Sequence, residues 1–249
     1  MPQPTWAALL LESHNMEDAS STVAENLARI RERIEHAAQR AGRRAEEITL
    51  VGVSKTFRAE RIREAFDAGV RHFGENRVQD FEAKLPLVQD LSAVWHFVGH
   101  PQRNKAARTL ALFHTVDSVD NLPLAEKLDH AAGEGRRLPV LIEVRLDTAP
   151  KKSGCEPADL PRLAEGVLLM THLELRGLMT VPPVSSDPEH ARPMFRRLRE
   201  LRDEMATLLD WPLSELSMGM SHDFEVAIEE GATQIRVGTA LFGTRPDTH

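Results

Sequence analysis

The sequence predicts a single (β/α)₈ barrel, and three observations support that prediction. The chain has 249 residues, which is the size of one large domain. Short apolar segments rich in β-branched residues alternate with segments of helical spacing, strand then helix, along the chain. Several of the apolar segments are continuous, as expected of parallel strands covered on both faces. An open, doubly wound sheet is the alternative that the same alternation allows.

Composition and charge indicate a globular protein whose partner is a small molecule. The chain carries 31 Lys plus Arg against 38 Asp plus Glu, a net charge of −7, which disfavours nucleic acid or an anionic membrane as a partner. Hydrophobic residues make up 41% and charged residues 28%, close to the globular average. The single cysteine, Cys155, cannot form an internal disulfide, and no basic leader segment opens the chain. We therefore expect a cytoplasmic monomer.

The elements of the predicted barrel follow in order after an N-terminal extension. Residues 1–20 show no sustained period, so the barrel is assigned to residues 21–249. The first helix begins after Ser20, Ser21 or Thr22 as its cap, with an apolar stripe from Val23 onward. The predicted strands are 48–53, 70–74, 93–99, 112–117, 139–146, 173–181, 213–218 and 233–238.

The clearest helical pattern lies between strands 6 and 7, at residues 187–210. Asp187 followed by Pro188 is typical of a helix cap with proline in the first turn. The predicted buried stripe is Met194, Leu198, Leu201, Met205 and Leu208.

Polar and glycine-containing segments follow the predicted strands at their carboxyl-terminal ends, the face on which such barrels carry their sites. The loops after strands 7 and 8, which commonly bind phosphate, hold Gly219, Ser221, Gly238 and Thr239. Glycine permits close approach of the backbone to an anion, and the hydroxyls add hydrogen-bonding groups. Ordinary glycine turns, with Ser221 capping the next helix, are the alternative.

Lys55 follows the apolar segment ITLVGVS, so it lies at the mouth of the predicted barrel. Partial burial lowers the pKa of a lysine and makes its amine a nucleophile for carbonyl groups. A lysine beside a phosphate site suggests a phosphorylated aldehyde held as a Schiff base, of which pyridoxal 5'-phosphate is the commonest cofactor. A solvated surface lysine is the alternative interpretation, and Lys151 and Lys152 are other candidate amines.

Arg236 stands between Ile235 and Val237, so strand alternation turns its side chain toward the barrel interior. A buried guanidinium needs a partner. That partner is either the pyridine nitrogen of a cofactor or a carboxylate such as Glu143 or Asp117. An arginine at the nitrogen leaves the ring unprotonated and weakens it as an electron sink.

Other candidate groups point away from metal and thiol chemistry. His96 and His100 are four residues apart, but Gly99 and Pro101 interrupt any helix that would bring them to one face. His96 is instead expected to line the pocket. Cys155 has no accompanying histidine pattern of a catalytic thiol. The chain contains no tyrosine, which removes one class of general acid.

Seven motifs carry a resemblance to a known family: GVSKTF, FGENRVQD, WHFVGHPQRNK, HTVDS, LRGLMTVPP, LSMGMSHDFEVAIEEGAT and IRVGTALFG. From Thr22 to Gly243 the chain resembles the pyridoxal-phosphate homeostasis proteins, an alanine-racemase-like barrel family also called proline synthetase co-transcribed proteins. The resemblance implies Lys55 as the imine lysine, Asn76 near the ring, His96 and Met218 lining the pocket, Ser221, Gly238 and Thr239 on the phosphate, and Arg236 at the pyridine nitrogen.

The resemblance also implies a function, with two departures in sequence. Such proteins bind pyridoxal phosphate and buffer or deliver it, with apo forms of pyridoxal-phosphate enzymes as possible recipients and no established catalysis. Pro101, before Gln102, stands where the family usually has leucine, and Arg145 stands where it often has asparagine, so contacts from the Arg145 loop are not carried over. The alternatives are a racemase or lyase with Lys55 as base and a phosphosugar enzyme on the same barrel.

Overall fold

Eight parallel strands form a closed barrel, with each strand paired to the next in the chain and β8 paired to β1. The computed structural model describes residues 21–100, 103–133, 135, 137–147 and 153–244. Closure in sequential order confirms the (β/α)₈ prediction and excludes the open sheet. The predicted extension at residues 1–20 lies outside the described residues.

All eight predicted strands are present within a few residues of their expected bounds. They are β1 Thr49–Val53, β2 His72–Glu75, β3 Val94–Phe97, β4 Thr115–Val119, β5 Leu138–Glu143, β6 Leu173–Met179, β7 Glu215–Met220 and β8 Gln234–Val237. The helices of the described chain are α1 Val23–Arg40, α2 Ala59–Asp67, α3 Val78–Lys84, α4 Ala106–Leu112, α5 Leu122–Ala132, α6 Leu160–Leu168, α7 Arg192–Leu209, α8 Phe224–Glu229 and α9 Thr239–Phe242.

Helix α1 precedes the first strand and packs on the last two helices. Thr22 caps it: the Thr22 hydroxyl accepts the backbone N–H of Glu25, and the Glu25 carboxylate accepts that of Thr22. The Asn26 amide donates to the carbonyl of Leu241 at 3.0 Å, which joins α1 to α9 beside the end of β8. The added helix thereby fixes the segment that follows the last strand.

Helix α7 confirms the prediction for residues 187–210 with two corrections. Asp187 accepts the backbone N–H of Glu189 and caps a short 3₁₀ turn, Pro188–Ala191, that leads into α7. Leu198, Leu201 and Met205 are buried as predicted, but Met194 is only half-buried and Leu208 is 58% exposed. Phe195 is buried in addition, and Leu208 lies in the last turn of α7, where the predicted stripe no longer meets the core.

The barrel interior is polar at several levels, while the space between strands and helices is apolar. Large buried side chains such as Phe73, Phe81 and Phe195 occupy the outer layer. None of the helices within the described ranges is long and apolar enough to cross a membrane.

Candidate cofactor-binding site

A cavity of about 650 Å³ opens at the carboxyl-terminal ends of the strands. Six of the eight predicted site residues line it: Lys55, Asn76, Ser221, Arg236, Gly238 and Thr239. They come from the ends of β1, β2, β7 and β8, which are neighbours around the barrel. The volume exceeds what a phosphorylated pyridine requires, and the lining groups face one space.

Lys55 is half-buried in the turn that follows β1. In this turn the backbone N–H of Phe57 donates to the carbonyl of Ser54 at 3.1 Å, and Thr56 has a φ of 69°. Its position two residues beyond the last residue of β1 places the amine at the rim rather than in the packed interior. The sequence prediction of a lysine at the barrel mouth is confirmed in position.

Ser221 joins the loops after β7 and β8. Its Oγ accepts the backbone N–H groups of Gly238 and Ala240, each at 3.2 Å. The end of β7 needs glycine, because Gly219 has a φ of 91° and a Cβ there would lie 2.9 Å from the Cα of Phe224. Ser221 Oγ thus already accepts two backbone N–H groups at the cavity wall, and the group that it offers to an oxyanion is its own O–H.

Arg236 is the buried cation of the site. The residue is 5% exposed, and its Nη1 and Nη2 donate at 2.7 Å to Ser217 Oγ and to the Thr180 carbonyl. Burial lowers the pKa of the guanidinium, whereas the charges of Asp117 and Glu143 act in the opposite direction. Its two short hydrogen bonds go to neutral oxygens, so the carboxylates influence it without pairing directly, and its charge reaches the cavity it lines.

Glu143, at the end of β5, brings a buried carboxyl to the same cavity. Burial raises its pKa above the ordinary value, while a hydrogen bond of 2.8 Å from the Ser153 hydroxyl opposes this. Sequence reasoning considered Glu143 only as a partner of Arg236. The structure makes it a lining group in its own right.

Sequence reasoning did not single out the rest of the wall, because most of those residues lie in loops that no periodicity places. Several of them stand in the motifs after strands 3, 6 and 7, which was the signal that could have found them. The additional lining residues are Val53, Val98, Gly99, His100, Val144, Arg145, Asp147, Ser153, Val181, Val184, Met220 and His222.

The structure does not bring His96 and Met218 to this cavity. Both lie within strands, whereas most of the lining residues follow the strand ends. His96 is buried in the barrel interior, where its Nδ1 is 3.0 Å from Asp117 Oδ2 and its Nε2 is 2.9 Å from His72 Nδ1. Met218 is fully buried in the hydrophobic core. The alternation of side chains along a strand predicted that these residues face the barrel interior or the core. It could not predict how far below the rim they lie.

Metal and thiol chemistry receive no support from the described residues. They contain no group of three or more His, Cys, Asp or Glu side chains placed to hold a metal ion. His100 lies 3.3 Å from Asp120, apart from His96. Burial raises the pKa of the Cys155 thiol to about 12, so the thiolate is scarce.

Of the two sequence departures, one can be placed. Arg145 lines the cavity and pairs with Glu156, so it adds a guanidinium to the mouth. Pro101 and Gln102 lie outside the described residues, as do the alternative amines of Lys151 and Lys152.

Comparisons with known proteins agree with the fold and show the family. The sequence profile of the family described as alanine racemase, N-terminal domain, matches residues 26–246. The pyridoxal phosphate homeostasis protein of Aquifex aeolicus is 46% identical over 222 residues, covering 89% of this chain and 97% of that protein. That of Pseudomonas aeruginosa is 45% identical over 226 residues, covering 90% and 96%.

Solved structures show the same relationship. PipY of Synechococcus elongatus, determined with PLP bound, superposes with a TM-score of 0.79 at 39% identity, covering 89% of this chain and 100% of PipY. Alanine racemase of Clostridium difficile shares the fold, with a TM-score of 0.71 at 15% identity, and the match covers 60% of the racemase. The chain belongs to the alanine racemase N-terminal domain family and, within it, to the pyridoxal phosphate homeostasis proteins.

Proposed function

We propose that this chain binds pyridoxal 5'-phosphate in the mouth cavity and holds it reversibly through Lys55. The observation that carries the proposal is the convergence of three unlike groups on one cavity: the Lys55 amine, the buried Arg236 guanidinium and the Ser221 hydroxyl with its neighbouring backbone N–H groups. The PLP-bound structure of PipY, a relative at 39% identity, supports it.

The groups of the cavity fit the three functional parts of this cofactor. When bound, it supplies an electrophilic aldehyde, a phosphate and a pyridine nitrogen. Lys55 would form a C=N bond with the aldehyde carbon and release its oxygen as water, a step that hydrolysis reverses. Ser221, Gly238 and Thr239 would hold the phosphate, Arg236 would face the ring nitrogen, and Asn76 would lie against the ring.

The same groups favour a carrier over a catalyst. A permanently charged guanidinium at the ring nitrogen would keep that nitrogen unprotonated, so the ring would stabilise a carbanion poorly. The chain has no tyrosine to serve as the acid on the opposite face. We infer a role in buffering pyridoxal phosphate and delivering it to apoenzymes in the cytoplasm, with the chain acting as a monomer.

One observation favours a second candidate, a slow racemase or lyase with Lys55 as base. Glu143 lines the same cavity with a pKa raised by burial, which is the property of a carboxyl that acts as a general acid. The carrier and the enzyme therefore differ in whether the α-proton of a bound amino acid exchanges.

Incubation of the loaded protein with L-alanine in deuterated water separates the two functions. For the carrier we expect negligible racemisation and little α-deuterium over many hours, measured by chiral chromatography and mass spectrometry. Brisk exchange that is lost in both Lys55→Ala and Glu143→Gln would establish the enzyme instead. Failure of the protein to bind pyridoxal phosphate in equilibrium dialysis would contradict both.

A further inference from the structure

A second lysine lies beneath the site without lining its cavity. Lys84, the last residue of α3, has a side chain only 13% exposed. Its Nζ donates to the carbonyl of Ser54 at 2.8 Å and to Oε1 of Glu75 at 2.7 Å. These two acceptors belong to the residues immediately before Lys55 and Asn76, so one ammonium group joins the ends of β1 and β2.

The carboxylate that Lys84 contacts is buried and shared. Glu75 is fully buried, and the same Oε1 also accepts the hydroxyl of Ser54 at 2.7 Å. Burial raises the pKa of Glu75, and Lys84 opposes that shift. An ion pair in this setting is costly to form and more costly to break, because removing one partner leaves a buried charge uncompensated. We refer to Ser54, Glu75 and Lys84 as the buried clamp.

The segment that the buried clamp holds has a strained backbone. Lys55 is the second residue of the Ser54–Phe57 turn, and the third, Thr56, has a φ of 69°. Turns with positive φ at this position favour glycine, and a β-branched residue there is disfavoured. Such a conformation persists only when its surroundings fix it. The Ser54 carbonyl, fixed by both Phe57 and Lys84, supplies that restraint directly before Lys55.

We propose that Lys84 is a positioning residue for Lys55: through the Ser54 carbonyl and the Glu75 carboxylate it fixes the turn that directs the Lys55 amine into the mouth cavity. This inference rests on the proposed function, since it assigns Lys84 to the covalent step. In this role Lys84 contacts neither the phosphate nor the ring. Loss of the clamp should therefore slow bond formation at Lys55 while leaving noncovalent binding in place.

Two ligands separate these effects. Pyridoxal 5'-phosphate has the aldehyde, whereas pyridoxine 5'-phosphate has an alcohol in its place and cannot form the C=N bond. In Lys84→Met we expect the rate of imine formation, followed by stopped-flow absorbance, to fall about tenfold or more. The Kd of pyridoxine 5'-phosphate, measured by calorimetry, should stay within about twofold of the unaltered protein.

Three further variants control for folding and charge. Lys84→Met/Glu75→Gln leaves no uncompensated buried charge, and it should show the same slow imine formation with an unfolding transition closer to the unaltered protein. Lys84→Arg keeps the charge and donors and should recover part of the rate. Lys127→Met, on the exposed face of α5, removes a lysine remote from the cavity and should change neither ligand's behaviour.

The outcomes distinguish this inference from the function on which it rests. Imine formation at the normal rate in folded Lys84→Met, or in the double variant if the single one does not fold, would overturn the positioning role. An equal loss of pyridoxine 5'-phosphate affinity would also overturn it, because the clamp would then only maintain the cavity. If borohydride treatment of the loaded, unaltered protein leaves Lys55 unlabelled, the proposed covalent site itself fails.

Discussion

The two ends of the barrel interior use polar residues in opposite ways. Below the mouth, Asp117 accepts hydrogen bonds from Thr115, His96 and Gln234 at 2.5, 3.0 and 2.7 Å. Gln234 also contacts Ser217 at 2.9 Å. This lower network satisfies its buried carboxylate with protein donors. At the mouth, the amine, hydroxyl and backbone N–H groups converge on an open cavity.

Arg236 connects the two regions. Its Nη1 donates to Ser217, a member of the lower network, while the side chain also lines the mouth cavity. A polar residue that faces inward from a strand is therefore insufficient to mark a binding site in a barrel. The residues that follow the strand ends mark it, and the inward ones beneath them support it.

Removal of one carboxylate at each end should give the largest contrast. Burial raises the pKa of Asp117, but its three donors outweigh burial and bring the pKa below its ordinary value, so its ionised form stabilises the fold at neutral pH. Asp117→Ala leaves those donors without an acceptor and should lower the free energy of unfolding by about 3–5 kcal/mol. Glu143→Gln at the mouth should be neutral or stabilising, because burial disfavours its charge. Urea unfolding at pH 7 measures the free energy of unfolding of both variants. Equal losses of stability in the two variants would contradict the expected difference between the two ends of the barrel.

A serine at each end provides the next comparison. Ser221→Ala should weaken binding of pyridoxal phosphate by about 1.5–3 kcal/mol, because the phosphate loses a charge-assisted hydrogen bond and the loop loses its tie to Gly238 and Ala240. Excess cofactor should still label Lys55. Ser214→Ala, in the cavity at the amino-terminal end, is the matched control and should leave the Kd unchanged. Unaltered affinity in Ser221→Ala would place the phosphate elsewhere.

The smallest effect concerns His72, which contacts the lower network through His96. Burial, together with His96, lowers the pKa of His72 from 6.5 to about 4. The unfolded chain therefore binds a proton at higher pH than the folded one, and stability falls as the pH drops from about 6.5 to about 4. After allowance for solvent screening, His72→Asn should remove on the order of 1–2 kcal/mol of that loss. If the free energies of unfolding of His72→Asn and of the unaltered protein fall in parallel from pH 7 to pH 4, the role of His72 in this pH dependence is contradicted.

The sequence predicted the barrel and the rim more fully than the interior. The alternation of strands and helices predicted the barrel but left the open sheet as an alternative, which the pairing of β8 with β1 excludes. Glycine, serine and lysine positions after strand ends predicted several of the residues that line the mouth cavity. The alternation of side chains along a strand could not show how far below the rim a residue lies. His96 was therefore expected in the pocket, although it contacts Asp117 below the pocket. The buried clamp was missed because Lys84 ends a helix far in sequence from Lys55, and only the fold brings them together.

Borohydride reduction of the loaded protein, followed by peptide mapping, tests the central claim most directly. We predict a visible absorption band that disappears on reduction and a single pyridoxyl label on Lys55. Lys55→Ala should remain folded, as judged by circular dichroism, and carry no label, because Lys55 lies at the rim and fills no core space. A label on Lys151, Lys152 or Lys84 in the unaltered protein, with Lys55 unmodified, would contradict the assignment of the mouth as the covalent site.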